Sequence, residues 1–300
     1  MINMHTINQF ALYNQARTHF LDNPNTLISL EEMLTNDLVK TITENLTDIK
    51  EDYNEASYLF PFWSNYPPED RGRSPIKDQY PWIEVGEHSI GCKLPRLLSA
   101  NYKIRDTGLP TGSDQRFILK SESIATATHG FTDSAWFFID IKSIGPRDDQ
   151  DHTVMSHNQV SGEGIWSIMN DGVMNNVLQA TGRRASHAFH ASMPPLFILS
   201  DTTIAPLINI ALKPVYKMLP ASTKGLRNIG QPLERIDIAC IPNGLLLTKN
   251  PGYLTQHPGL LFPGKDDKVK NPRKLRARIS FKLLKKIAPW RVQSIAVNYP

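Results

Sequence analysis

The sequence predicts a single elaborated α/β domain over residues 1–300, and three observations carry that expectation. Three hundred residues at 40% hydrophobic content are enough for a large core. Short apolar runs rich in aromatic and β-branched residues recur between breaks containing Pro and Gly, which is the pattern of strands. An N-terminal segment instead repeats its apolar residues at helical spacing, and no clear linker divides the chain.

The elements follow in order. Leu30, Met33, Leu34, Leu38, Ile42, Leu46 and Ile49 recur at helical spacing, after Ser29 and Glu32 placed as a capping box. Between Glu31 and Glu55 there are eight acids and two bases, so this helix is expected to face away from any polyanion, as scaffold or dimer surface. Trp63, Tyr66 and Trp82 stand among prolines, where packing beneath a loop is the simpler role and stacking on bases the other. Gly108, Pro110 and Gly112 signal turns, after which Asp114 directly precedes the strand-forming run Arg116 to Lys120. Trp136 to Ile139 with Ile141 reads as a buried strand ended by Gly145-Pro146. The run Leu207 to Leu212 is bounded by Pro206 and Lys213, far short of the roughly 20 residues of a membrane span. Leu275, Ala277, Ile279 and Phe281 alternate with Arg276, Arg278, Ser280 and Lys282, a strand with a basic face.

The chemistry concentrates on the buried strand. Alternate strand residues share a face, so Asp140 and Lys142 project together, with α-carbons roughly 6–7 Å apart, while Ile141 points into the core. The carboxylate and the Ile141 carbonyl are hard oxygen donors suited to Mg²⁺, and the ammonium can face a phosphate oxygen or an attacking water. An ion pair at a strand end would use the same residues. Asp-x-Lys occurs about once by chance in a chain of this length. Here it also appears as Asp48-Ile49-Lys50 on the helical segment and as Asp266-Asp267-Lys268 in a polar loop, neither with an apolar strand to hold it. If the two strands pair antiparallel, Asp114 enters one as Asp140 leaves the other, and both carboxylates meet at one end of the sheet. Asp133 precedes the apolar run at the wrong parity to share a face with Asp140, so it is expected to be structural or to support the site's ligands from behind. Glu84 and Glu87 could add an outer ligand, or be solvated.

Net charge is unevenly distributed. From Lys265 to Arg291, eleven Lys or Arg stand against Asp266 and Asp267, a balance of +9 that leaves −5 on the rest of a chain whose total is +4. Such a stretch fits nucleic acid, although a solvated charged face has the same composition. Lys265 and Arg276 can donate to guanine, and Asp267 can accept from the cytosine amino group. Cys92 and Cys240 are too few for a disulfide framework, and the N-terminus lacks a basic-then-apolar signal, so a reducing cytoplasmic compartment is expected. His187 and His190 have no third ligand at zinc spacing. Gly-rich phosphate loops and Gly-x-Ser-x-Gly are absent.

The layout resembles the PD-(D/E)xK nucleases. GLPTG-D-R, GFTDS, DIKS-GPRD, NQVSG-G, ILSD-TIAP, PNGL, NPGY and PGKDD further resemble the BglI family of type II restriction endonucleases. DYNEA, NYPP-DRG and PWIEVGE extend the likeness from about Asp52 to Arg278. The resemblance implies a restriction-endonuclease-like mixed β-sheet core flanked by helices. It implies Mg²⁺ held by Asp114, Asp140 and the Ile141 carbonyl, with Lys142 completing the catalytic set. It implies base contacts from Asp148, Lys265, Asp267 and Arg276, with Lys268 and Arg278 on phosphates. The target would be an interrupted palindrome with GCC and GGC half-sites, cut to leave 3′ extensions by a homodimer, with a cognate DNA methyltransferase as its functional partner. Ser113 departs from the family proline before the first aspartate, which is expected to loosen that turn. A structure-specific nuclease and a non-catalytic DNA-binding protein on the same fold are the alternatives.

Overall fold

A computed structural model describes residues 4–53, 55, 86–107, 112–145, 148–164, 166–167, 172–173, 176–183, 185–217, 232–264 and 275–298. Two helices open the chain, α1 (Met4–Asp22) and α2 (Pro24–Glu44), and residues 46–53 continue as helix. The expected start at Ser29 is corrected: α2 begins at Pro24 with Asn23 at its N-cap, and Ser29 lies within it. Proline at the first helical position has its φ preset and loses no intrahelical bond there, so it outweighs the later box. The buried face of α2 carries Leu27, Leu30, Leu34, Leu38 and Ile42, and it also carries Glu31.

Strands follow as β1 (Lys103–Asp106), β2 (Gln115–Lys120), β3 (Ser134–Ile141), β4 (His152–Met155), β5 (Trp166–Ser167), β6 (Gly172–Val173), β7 (Asn176–Thr181) and β8 (Ser186–Ala191). They continue as β9 (Leu196–Ile198), β10 (Ile204–Tyr216), β11 (Leu233–Ile241), β12 (Leu261–Pro263), β13 (Ala277–Ser280) and β14 (Val292–Ala296). The central sheet runs β1-β2-β3-β10-β11-β14, with β9 added on β10. β3 and β10 are parallel and every other pair is antiparallel, so the sheet is mixed, as expected. A smaller sheet, β12-β13-β4, holds the basic strand.

Both central strands are buried along their whole length. On one face Phe137, Ile139 and Ile141 of β3 join Ile208, Ile210 and Leu212 of β10 beneath α2 and the helix Gly91–Leu98. On the other face Trp136 and Phe138 pack with Leu207 and Met193. That second face also carries Asp140 and, by the register pairing Ala211 with Asp140, the β10 residues Asn209 and Lys213. Lys213 closes the apolar run, and the strand extends beyond that run through Lys213 and Pro214 to Tyr216. Among the described residues no helix is long and apolar enough to cross a membrane.

Candidate active site

The antiparallel register of β2 on β3 pairs Gln115 with Ile139 and so sets Asp114 beside the last residues of β3. The Asp114 N–H donates to the Ile139 carbonyl at 3.2 Å, and its carboxylate Oδ2 accepts the Ile141 N–H at 2.6 Å. The two aspartates therefore meet at one end of the sheet, as the sequence predicts. Asp140 is 2% exposed, and the Ile141 side chain points away into the core. The Lys142 Nζ lies 2.5 Å from Asp140 Oδ2 and keeps 31% side-chain exposure, so the pair is closed on the aspartate side and open on the lysine side.

Ser113 does not leave the turn loose. Its buried hydroxyl donates to the Gln115 carbonyl at 3.0 Å, and Arg116 donates to the Ser113 carbonyl at 3.3 Å. Side-chain bonds take the place of the ring constraint that proline would supply. Asp133 sits at the opposite end of β3, held by Lys120 at 2.9 Å and Ser134 at 2.9 Å. Glu87 lies in the helical turn Gly86–Ile90, whereas Glu84, Trp63, Tyr66 and Trp82 fall outside the described residues. His187 and His190 stand three apart on β8, hence on opposite faces, and cannot share an ion.

Sequence reasoning missed the residue that fixes Asp140. Gln159 Nε2 donates to Asp140 Oδ1 at 2.5 Å and to the Gly112 carbonyl at 2.7 Å, bridging the aspartate to the turn that carries Asp114. Its Oε1 accepts the Ser156 N–H at 2.8 Å, and its carbonyl accepts Asn209 Nδ2 at 2.8 Å. The legible signals were the NQVSG motif and two polar residues, Asn209 and Lys213, four apart in an otherwise apolar strand.

Burial pushes the Asp140 carboxyl up to about 6, with Lys142 and Gln159 pulling it back and Asp114 adding to the rise. The Lys142 ammonium is at ion-pair distance from Oδ2 but poorly aligned for a hydrogen bond, so this buried oxygen rests on a single, partly exposed cation. An under-satisfied buried carboxylate oxygen, a second carboxylate and a backbone carbonyl form an all-oxygen set that fits a hard divalent cation such as Mg²⁺. Among the described residues no three His, Cys, Asp or Glu come together, so two carboxylates and a carbonyl are what this corner offers.

The expected base-reading residues flank this corner in part. Asp148 follows β3, its Oδ2 accepting the Gly145 N–H at 2.8 Å and its N–H donating to the Gly145 carbonyl at 3.1 Å. Asp149 holds His152 Nδ1 at 2.8 Å and Arg278 at 3.5 Å. Burial pushes its carboxyl up, but His152, Arg278 and Lys213 more than offset this and leave it lowered. Arg276 is exposed just before β13, and its carbonyl accepts the Gly264 N–H at 3.1 Å. Lys265, Asp267 and Lys268 lie outside the described residues. One member of the basic stretch is withdrawn from any surface: Arg291 is fully buried against Glu31 at 2.7 Å.

The family model described as "Restriction endonuclease BglI" matches residues 8–295. The type II restriction enzyme BglI of Bacillus subtilis is 46% identical over 302 residues, covering 99% of this chain and all of the relative. A crystal structure of the restriction endonuclease BglI bound to its DNA recognition sequence superposes with a TM-score of 0.90 over the full length of both chains, at 46% identity. The tetrameric restriction endonuclease SfiI, bound to cognate DNA, shares the fold with a TM-score of 0.59 at 16% identity, over 91% of this chain and 85% of SfiI. Fold, site-corner geometry and full-length identity agree: the chain belongs to the BglI family of type II restriction endonucleases.

Proposed function

We propose that the chain cleaves both strands of duplex DNA at an interrupted palindrome with GCC and GGC half-sites, in a Mg²⁺-dependent reaction that leaves 3′ extensions. The observation that carries this reading is the meeting of Asp114 and Asp140 beside Lys142 at the end of β3. Asp114, Asp140 and the Ile141 carbonyl would hold Mg²⁺. When bound, the ion lowers the pKa of a water and meets negative charge gathering at phosphorus. Asp140 is fixed by Gln159, and Asp114 by the Ile141 N–H, so neither carboxylate needs to reorganise. Lys142 reaches solvent from the exposed side of the pair, where its ammonium can orient the attacking water and offset charge on the phosphate.

Base reading would fall to Asp148, Lys265, Asp267 and Arg276, with Lys268 and Arg278 setting register on phosphates. Asp148 lies six residues beyond Lys142 in sequence, which would keep recognition and cleavage close. A palindromic site is read most simply by a two-fold homodimer, each endonuclease unit of residues 1–300 supplying one active site and one half-site reader. A companion methyltransferase would protect the host, and both would act in the cytoplasm.

The test is digestion of a long duplex of known sequence with and without Mg²⁺, followed by sequencing of all fragment ends. Discrete Mg²⁺-dependent ends within GCC-spacer-GGC sites are expected. Discrete ends elsewhere would retain the chemistry and discard the base contacts. Tight, salt-sensitive DNA binding without cleavage would favour a non-catalytic protein.

A further inference from the structure

Lys213 is 2% exposed on β10, yet its ammonium makes no hydrogen bond to a carboxylate. Nζ donates to the carbonyls of Asp149 and His152, both at 2.6 Å, and lies 5.0 Å from the centre of the Phe281 ring. Asp237, its register partner on β11, is engaged by Arg235 at 3.0 Å and Ser294 at 2.6 Å. Burial drives the ammonium down to about 8, opposed by Asp149 and Asp237. A lysine held at such desolvation cost for two backbone carbonyls is an anchor for the segment that owns them.

That segment is the one following the catalytic strand. It carries Asp148 and leads into β4, which pairs with β13 and so with Arg278. Asp149, one of the two residues whose carbonyl Lys213 holds, binds Arg278 through its side chain. The same short piece of β10 grips the catalytic strand through its backbone: the Leu212 carbonyl accepts the Lys142 N–H at 2.9 Å, and the Pro214 carbonyl accepts the Ile144 N–H at 2.9 Å. Leu212, Lys213 and Pro214 thus bind both Lys142 and the Asp149–His152 turn.

We propose that Lys213 is a positioning residue that fixes the distance between the base-reading segment and the catalytic corner, so that cleavage depends on correct base contacts. The proposal rests on the endonuclease reading above but on no particular target sequence. A loose reading segment would still allow the catalytic corner to act, while the penalty for a wrong base pair would fall. Lys213 therefore governs fidelity more than rate.

The experiment compares wild type with Lys213→Met, which keeps the length of the side chain and removes its donors. For each full-length protein, kcat/KM is measured on the site wild type cuts best and on duplexes carrying one changed base pair in a half-site. Binding to the same duplexes is measured with Ca²⁺ in place of Mg²⁺. A wrong base pair ordinarily costs roughly 10- to 100-fold. In K213M the discrimination ratio is expected to fall at least about 10-fold, with single-turnover cleavage of the best site reduced by less than that. Equal losses on all duplexes, or an unchanged ratio, would overturn the proposal. Lys213→Arg keeps charge and donors, whereas Lys213→Gln is neutral and too short to reach both carbonyls; should K213M fail to fold, K213R is expected to discriminate nearly as wild type and K213Q to lose discrimination, and equal discrimination by the two would be equally contrary. A wild-type chain that binds and cuts without discrimination would reject the endonuclease reading, whereas a discriminating wild type beside an equally discriminating K213M would reject the role of Lys213 alone.

Discussion

Two buried carboxylate–cation pairs in this molecule use nearly the same groups for opposite ends. Glu31 of α2 meets Arg291 at 2.7 Å with both side chains fully buried, and its second oxygen accepts the Asn243 N–H at 2.6 Å. Arg291 is further enclosed by the Trp290 and Tyr253 rings. Asp140 is nearly as buried, yet its cation is a partly exposed lysine, on which one of its oxygens rests alone. Burial pushes both carboxyls upward. The first pair is shut away from solvent on both partners and ties a helix to the strand connections beneath it. The second is left incomplete on its solvent side, where a cation and a phosphate could enter. Openness to solvent on the side of the cation, rather than the presence of an ion pair, separates the candidate site from the scaffold.

The comparison can be broken in several ways, beginning with the largest effect. Asp114→Asn or Asp140→Asn is expected to lower single-turnover cleavage by at least about 10³-fold, on the order of losing a principal electrostatic element of catalysis, while DNA affinity persists. A gel-shift and a rate measurement on the same preparation would check both halves, and residual cleavage within 10-fold of wild type would remove that residue from the site. Glu31→Gln should leave the Arg291 charge buried and half-paired, at about 3–5 kcal/mol of stability in denaturant unfolding, with kcat unchanged in the protein that remains folded.

Replacing Asp140 should act on stability with the opposite sign. A carboxyl raised from 3.8 to about 6 in the folded chain costs stability above pH 6. That cost fades as pH falls through 6 and is gone only below 3.8, where the group is protonated both folded and unfolded. In the absence of metal at pH 7.5, Asp140→Asn should therefore be more stable than wild type by on the order of 1–3 kcal/mol. The gap should close only below pH 3.8. The smallest functional effect is expected of Gln159→Ala: Mg²⁺ affinity weakened roughly 10-fold, as for groups that orient a metal ligand without touching the ion. Calorimetric titration of the metal would reveal it, and unaltered affinity would mean that Gln159 only braces the Gly112 turn.

Much of the candidate corner was legible because its signals are local. The apolar run from Trp136, the alternation that puts Asp140 and Lys142 together, and Asp114 just ahead of Arg116 all depend on neighbours in sequence, and the pairing of β2 with β3 follows from them. What remained hidden depends on partners far along the chain. Gln159 is placed by bonds to Asp140 and Gly112, and no periodicity marks it. Arg291 is indistinguishable in composition from the bases around it, and only its partner Glu31, in α2, withdraws it from the surface. The apolar run that marks β10 stops at Lys213, so composition gives no sign that the strand goes on through a buried lysine and a proline. Two backbone carbonyls from the following segment of β3 supply the partners that let the lysine stay inside.

The most direct test of the under-satisfied corner is thermal unfolding of wild type and Asp140→Asn at pH 7.5, each with and without Mg²⁺, alongside cleavage by the same preparations. A site built to take a cation predicts an inactive Asn variant that melts above metal-free wild type and is insensitive to Mg²⁺, while Mg²⁺ raises the melting temperature of wild type. An Asn variant that melts below wild type, with Mg²⁺ shifting both proteins equally, would make Asp140–Lys142 a structural pair like Glu31–Arg291.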